Sequence, residues 1–188
     1  MNAQNIVGTS LCYWLTGLSG AGKTTLARKF ADRLRSKGIG VLILDGDTLR
    51  ARLNQDLGFS RDDRAESVRR AAEISRIAVD SGLTVIASLV SPYAKDRKAA
   101  CESVGEERFI EVFVDASLDT CVKRDPKGLY RRAQAGLVSH FTGLDDPYER
   151  PVAPSLHILT DDRPDVEGVD LLLAHFENRL PLLHSPDN

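Results

Sequence analysis

At 188 residues the chain is long enough for one domain with a sizeable core. It is 42% hydrophobic and 28% charged, an ordinary globular mix that excludes a disordered or fibrous chain. A net charge of −2 argues against nucleic acid or an anionic membrane as the main partner, so any anion-binding site is local.

The opening "MNAQNIVGTSLCYWLTG" lacks a basic stretch followed by a long apolar one, so no secretory signal is expected. Cys12, Cys101 and Cys121 are widely spaced and odd in number, which fits reduced thiols in a cytoplasmic protein. His140, His157, His175 and His184 show no zinc-ligand spacing.

Along the chain, "LCYWLTG" reads as a buried strand and Lys23 to Lys37 as a helix that stops before Gly38. "GVLILDGD" is expected as a second strand. From Asp62 to Gly82, Val68, Ala71, Ala72, Ser75, Ala78 and Val79 recur at helical spacing, with Asp62 or Asp63 as N-cap and Gly82 as stop. "LTVIASLV" is a third strand, too short to span a bilayer; "RFIEVFVD" is a fourth and "LHILT" a fifth. A closing helix is expected from about Asp165 to Leu180. The segment from Lys123 to Pro154, rich in Arg, Gly and Pro, reads as a mobile lid. Apolar strands alternating with helices predict an α/β fold, a five-stranded parallel sheet covered on both faces.

"GLSGAGKTT" carries the first chemistry. Gly17, Gly20, Gly22, Lys23 and Thr24 satisfy the G-x-x-x-x-G-K-[ST] phosphate loop, set between a strand and a helix. Glycine lets successive backbone N–H groups converge on a phosphate, and the helix start adds its dipole. Leu18, Ser19, Ala21 and Thr25 complete the expected nucleotide loop, with Lys23 on the β- and γ-phosphates and the Thr24 hydroxyl on Mg²⁺. The loop binds ATP or GTP, and the absence of N-K-x-D argues against a GTPase.

At the end of the second strand, "LDGDTLR" brings Asp45 and Asp47 to the carboxyl edge, where open α/β sheets hold their ligands. Period-2 spacing with Gly46 between them predicts that both carboxylates face the loop. Asp47 is the candidate base for an acceptor hydroxyl and a candidate Mg²⁺ contact. Arg50 is suited to an anionic acceptor, because guanidinium binds phosphate or sulfate with two parallel hydrogen bonds.

Three later stretches bear on the acceptor. Arg64 and Ser67 stand three apart on one helix face, after Phe59. Ser91 closes the third strand in "SLVSPY". Lys123, Arg124, Lys127, Arg131 and Arg132 crowd the start of the lid, before Phe141. Basic lid residues can close over phosphates and exclude water, and two phenylalanines can sandwich a flat ring.

"GLSGAGKTT", "LDGD", "DLGFS", "DDR", "SPY", "RDPKGLY" and "FTGLDDPYE" resemble adenylylsulfate kinases in order and spacing, over about Cys12 to Glu149. The resemblance implies a single P-loop kinase domain over 1–188 with a lid at about 123–154. It implies MgATP as donor and adenosine 5′-phosphosulfate as acceptor, phosphorylated on its 3′-hydroxyl. By the family's pattern Phe59 and Phe141 flank the acceptor adenine, and Arg50 and Arg64 hold the phosphosulfate. Asp47 faces the hydroxyl, Lys127 lies in the lid, and Asn54, Val90 and Ser91 contact the acceptor. Ser91 matches a serine described in the family as a phosphoenzyme intermediate, although a P-loop site needs no covalent step. Arg124 covers the donor adenine, and a homodimer is implied.

Four departures stand out. Ser67 replaces a usual Asn, Gln134 a common Arg, "RARLNQDLGF" the usual "RHGLNKDLGF", and Leu89-Val90 the usual Phe-Ile. Three other readings stay open: a kinase for another nucleotide such as a cytidine diphosphate derivative, a non-catalytic nucleotide-binding module, and an ATPase without acceptor.

Overall fold

The computed structural model describes residues 10–138, 141–161 and 165–183. Residues 1–9, the start of the stretch expected to carry no secretory signal, lie outside these, as do His140, His184 and positions 139 and 140 of the expected lid.

The first strand, β1 (Cys12–Thr16), is buried along its whole length. The helix after it, α1, runs Lys23–Ser36 and ends at Lys37, with Gly38 in the left-handed region beyond. The second strand, β2 (Val41–Asp45), stops two residues earlier than its sequence suggests. A short helix α2 (Gly46–Ala51) begins there because the Asp45 side chain caps it, accepting from the N–H groups of Asp47 and Thr48. The strand-like alternation of Asp45 and Asp47 is therefore corrected: one is a helix cap and the other sits in the first helical turn.

Helix α3 spans Arg61–Asp80. Its N-cap is Ser60, whose Oγ accepts from Asp63 N–H at 3.2 Å, and not Asp62 or Asp63. Those two acids instead occupy the first turn, where the helix dipole favours them. All six of its expected inward positions are buried. Strand β3 (Thr84–Ser88) follows, then α4 (Ala94–Val104), which the sequence reading did not anticipate. Strand β4 (Phe109–Asp115) leads into α5 (Leu118–Arg124) and α6 (Leu129–Gln134). The expected lid thus carries the end of one helix and the whole of another. Strand β5 (Leu156–Leu159) and α7 (Asp165–Leu183) close the described chain.

The five strands are parallel in the order β2-β3-β1-β4-β5, with Tyr13 paired to Ile86 on one side and Ile110 on the other. Alternate residues of β1 face opposite ways. Tyr13 and Leu15 join Leu26, Phe30, Leu172 and Phe176 under α1 and α7. Cys12 and Trp14 join Val68, Ala72, Ala100 and Val104 under α3 and α4. Each such large side chain contributes about 1.5–3 kcal/mol by leaving water. The strand order reverses at β1, so a crevice opens beyond the carboxyl ends of β1 and its neighbours. Among the described residues, no helix is long and apolar enough to cross a membrane.

Candidate active site

A cleft of about 910 Å³ occupies that crevice. Ser19, Gly20, Gly22, Lys23, Thr24 and Thr25 line one part of it. Asp45, Asp47, Arg50, Phe59, Arg64, Ser67, Val90, Ser91, Arg124, Lys127 and Phe141 line the rest. Gly17, Leu18, Ala21 and Asn54 do not line it, and each supports a residue that does.

Gly17 leaves β1 at φ 151°, and a Cβ there would lie 2.2 Å from the Val114 carbonyl oxygen. Gly17→Ala is expected to destabilise the fold by about 1–3 kcal/mol through this backbone clash. Thermal unfolding checks it, and an unchanged midpoint would contradict the geometry. Ala21 is held from behind, its carbonyl accepting from Thr160 Oγ1 at 2.8 Å. Leu18 packs against Gly143, where an added Cβ would lie 3.0 Å from its Cδ2. Tyr130 Oη donates to Ser19 O at 3.0 Å, and Arg124 reaches Gly20 O as well as the carbonyls of Thr160 and Asp161. Gly22, at φ 99°, begins α1 without any side-chain cap, leaving the first-turn N–H groups for an anion.

Lys23 is buried, and its Nζ donates to Gly17 O and Leu18 O, both at 2.8 Å. Burial lowers its pKa to about 8, with Cys121 and Asp45 opposing the shift and Lys127 adding to it. Thr24 Oγ1 donates to Asp45 Oδ2 at 2.8 Å, while Asp45 Oδ1 accepts from Asp47 N–H at 3.1 Å. The hydroxyl of Thr24 therefore meets Asp45 and not the Asp47 of the expected metal pair. Asp47, freed from the strand line by α2, instead forms an ion pair with Lys127, between α5 and α6.

Arg50 and Phe59 form a further wall. The Arg50 guanidinium lies 4.3 Å from the Phe59 ring centre and donates to Gly58 O at 2.8 Å; Arg64 lies 5.6 Å from the same ring. Both arginines have lowered pKa values, chiefly from burial, with the Arg50 charge adding to the effect on Arg64. Two partly desolvated cations at one wall favour a doubly charged anion. Asp146 stands 3.9 Å from Arg64. Phe141 enters from the lid segment, edge-on to Tyr130 at 4.9 Å.

Asn54 lies behind the wall, 1% exposed, and donates from Nδ2 to Ser67 Oγ at 2.9 Å; its Oδ1 has no hydrogen-bond partner. It orients Ser67 and does not itself face the cleft. Ser91 is buried at φ 39°, in the left-handed region that costs a residue with a Cβ about 1–2 kcal/mol. Its Oγ accepts from Trp14 Nε1 at 3.0 Å.

The sequence reading passed over Thr160, Tyr130 and Asp146. Thr160 follows β5 at the carboxyl edge, a position that marks it as a site candidate. Tyr130 stands in "KGLY", but only the fold shows its hydroxyl meeting the loop.

A phosphate loop at a topological switch point, with a carboxylate and two guanidiniums across the cleft, defines a P-loop phosphotransferase acting on an anionic acceptor. The adenylylsulphate kinase family model matches residues 9–159, and the chain belongs to that family. It is 52% identical over 162 residues to the adenylyl-sulfate kinase of Paraburkholderia xenovorans (strain LB400), covering 86% of this chain and 90% of that one. It is 46% identical to the bifunctional enzyme NodQ of Rhizobium sp. (strain N33), where it covers 93% of this chain but spans only 27% of the longer protein. Its fold superposes with a TM-score of 0.86 on the Mycobacterium tuberculosis APS kinase solved with AMPPNP and APS, at 42% identity, covering 90% of this chain and 98% of that one.

Proposed function

We propose that this chain transfers the γ-phosphoryl group of MgATP to the 3′-hydroxyl of adenosine 5′-phosphosulfate, giving ADP and 3′-phosphoadenosine 5′-phosphosulfate. The observation that supports it most is a shared cleft. Asp47 opens onto the same space as Lys23 and Thr24 and as the wall of Arg50, Phe59 and Arg64. A volume of about 910 Å³ lies near the top of the range for ligand pockets and suits two nucleotides held together.

In this reading the phosphate loop and Lys23 hold the donor phosphates, and Arg50 and Arg64 hold the phosphosulfate. Phe59 and Phe141 stack on the acceptor adenine. Thr24 and Asp45 offer two hard oxygen donors 2.8 Å apart, a donor set that would hold Mg²⁺. When bound, Mg²⁺ supplies charge neutralisation on the β- and γ-phosphate oxygens. Asp47 takes the proton of the 3′-hydroxyl as that oxygen bonds to the γ-phosphorus and the bond to ADP breaks. Lys127, paired to Asp47, ties closure of the lid to the position of this base.

Ser91 is read as part of the acceptor wall. Its Oγ accepts from Trp14 Nε1 and donates to Leu89 O, and transfer is read as direct and in line because a P-loop site needs no covalent step. Ser67 offers a single hydroxyl, already turned by Asn54. The family's habit supports a homodimer, and the scattered cysteines support a cytoplasmic setting.

Phosphorus NMR of the protein with MgATP and adenosine 5′-phosphosulfate, beside a sample without acceptor, tests the reading. A new 3′-phosphomonoester signal with ADP formed only in the presence of acceptor is expected. ATP binding without that signal would turn attention to Ser67 and to other nucleotide acceptors. ADP formation indifferent to acceptor would leave an ATPase.

A further inference from the structure

The turn after β3 is held from three sides. Ser91 sits at φ 39°, in the left-handed region that residues with a Cβ rarely adopt. Trp14 Nε1, from the middle of β1, donates to its side chain at 3.0 Å. Thr16 Oγ1, at the end of β1, donates to Val90 O at 2.7 Å and reaches Ser91 O at 3.3 Å. Arg97 Nη1, from α4, donates to Ser91 O at 2.9 Å.

Arg97 is 3% exposed, and each of its three guanidinium nitrogens meets a different part of the fold. Besides Ser91, Nε donates to Glu111 Oε1 on β4 at 2.7 Å, and Nη2 donates to Glu149 O at 2.8 Å. Glu149 closes the ring, its N–H donating to Pro92 O at 2.8 Å and its Oε2 accepting from Ala94 N–H at 2.7 Å. Glu149 ends the segment that carries Phe141. Arg97 therefore bolts together the Val90–Ser91 turn and the segment bearing Phe141, two walls of one cleft that the chain alone leaves independent.

For stability alone, a buried ion pair is often no better than apolar residues of the same volume. A rigid guanidinium fork fixes directions that an apolar side chain leaves free. The nucleotide loop has its own hydrogen-bonded anchors in Thr160, Tyr130 and Arg124, none of which hydrogen-bonds to this network; Tyr130 meets it only through the edge of the Phe141 ring. We infer that Arg97 and Trp14 are positioning residues for the acceptor: they hold the Ser91 turn and the Phe141 segment in register, and so set acceptor affinity without setting nucleotide affinity. Neither lines the cleft. The inference rests on the kinase reading above.

Arg97→Lys keeps the charge beside Glu111 but cannot make three directed bonds at once. Trp14→Phe keeps an aromatic ring against Phe109, 5.6 Å away, and removes the N–H. Steady-state kinetics with adenosine 5′-phosphosulfate, calorimetry with ADP, and thermal unfolding are measured for both variants and the unsubstituted protein. The expected result is a KM for the acceptor raised about tenfold in each variant, with KM for ATP and affinity for ADP within about twofold. Both KM values rising together, or activity falling only with the folded fraction, would make these residues stability elements and overturn the inference. So would an unchanged acceptor KM. If one variant does not fold, the other decides; if neither folds, the inference falls. An unsubstituted protein that binds ADP but turns over no adenosine 5′-phosphosulfate sinks the kinase reading and the inference with it. An active one with variants affected in both substrates sinks the inference alone.

Discussion

Replacing Asp47 with Asn is expected to lower kcat by about 10²- to 10⁴-fold, the range for removing a positioned general base, while ATP affinity stays within about threefold. The carboxamide matches the carboxylate in size, so the first turn of α2 is kept. It cannot take the proton of the acceptor hydroxyl, and it leaves Lys127 without its anionic partner. The nucleotide cradle is untouched, because the Thr24 hydroxyl is bonded to Asp45 and the Lys23 ammonium to the loop carbonyls. Turnover with adenosine 5′-phosphosulfate and calorimetry with a non-hydrolysable ATP analogue measure the two halves separately. Near-normal turnover would remove Asp47 as the base; loss of nucleotide affinity would make it part of the metal site instead.

That separation between Asp45 and Asp47 was not legible in "LDGDTLR". Two aspartates around a glycine read equally well as a strand end or as a helix cap followed by its first turn. Local pattern does not choose between them, because the choice is made by whether Asp45 finds the N–H groups of Asp47 and Thr48. The strands were legible for a plain reason: parallel strands buried on both faces are continuous apolar runs, and nothing in "LCYWLT" or "FIEVFVD" competes with that signal. Helix α4 was missed because Arg97 occupies an inward position where an apolar residue would complete the periodic face. The phosphate loop declares itself by spacing. Its clamps do not, since Thr160 and Tyr130 reach it only after the chain has crossed more than half the molecule. Asn54, which the family's pattern sets against the acceptor, packs behind Ser67 and donates to its hydroxyl, a placement no local pattern announces.

Lys23→Met is expected to lower kcat by about 10²- to 10³-fold, the cost of removing one preorganised charge from the transferring phosphoryl group, and to weaken nucleotide binding as well. The same residue gives that binding a pH signature. Burial sets its pKa at about 8 in the free loop, where backbone carbonyls are its only hydrogen-bond acceptors among the described residues. Phosphate oxygens arriving at Nζ favour the ammonium, so the bound-state pKa lies above the free one. The sign follows: binding takes up a proton when the pH lies between the two values, and none well below 8. Affinity for the nucleotide is then flat up to about pH 8 and falls by up to tenfold per pH unit above it. Calorimetry in two buffers of different ionisation enthalpy, at pH 6.5 and at pH 9, measures the uptake directly. Close to one proton at the higher pH and close to none at the lower is expected, and Lys23→Met should abolish the difference. Uptake that persists in the variant would assign the proton to another group and leave Lys23 charged throughout.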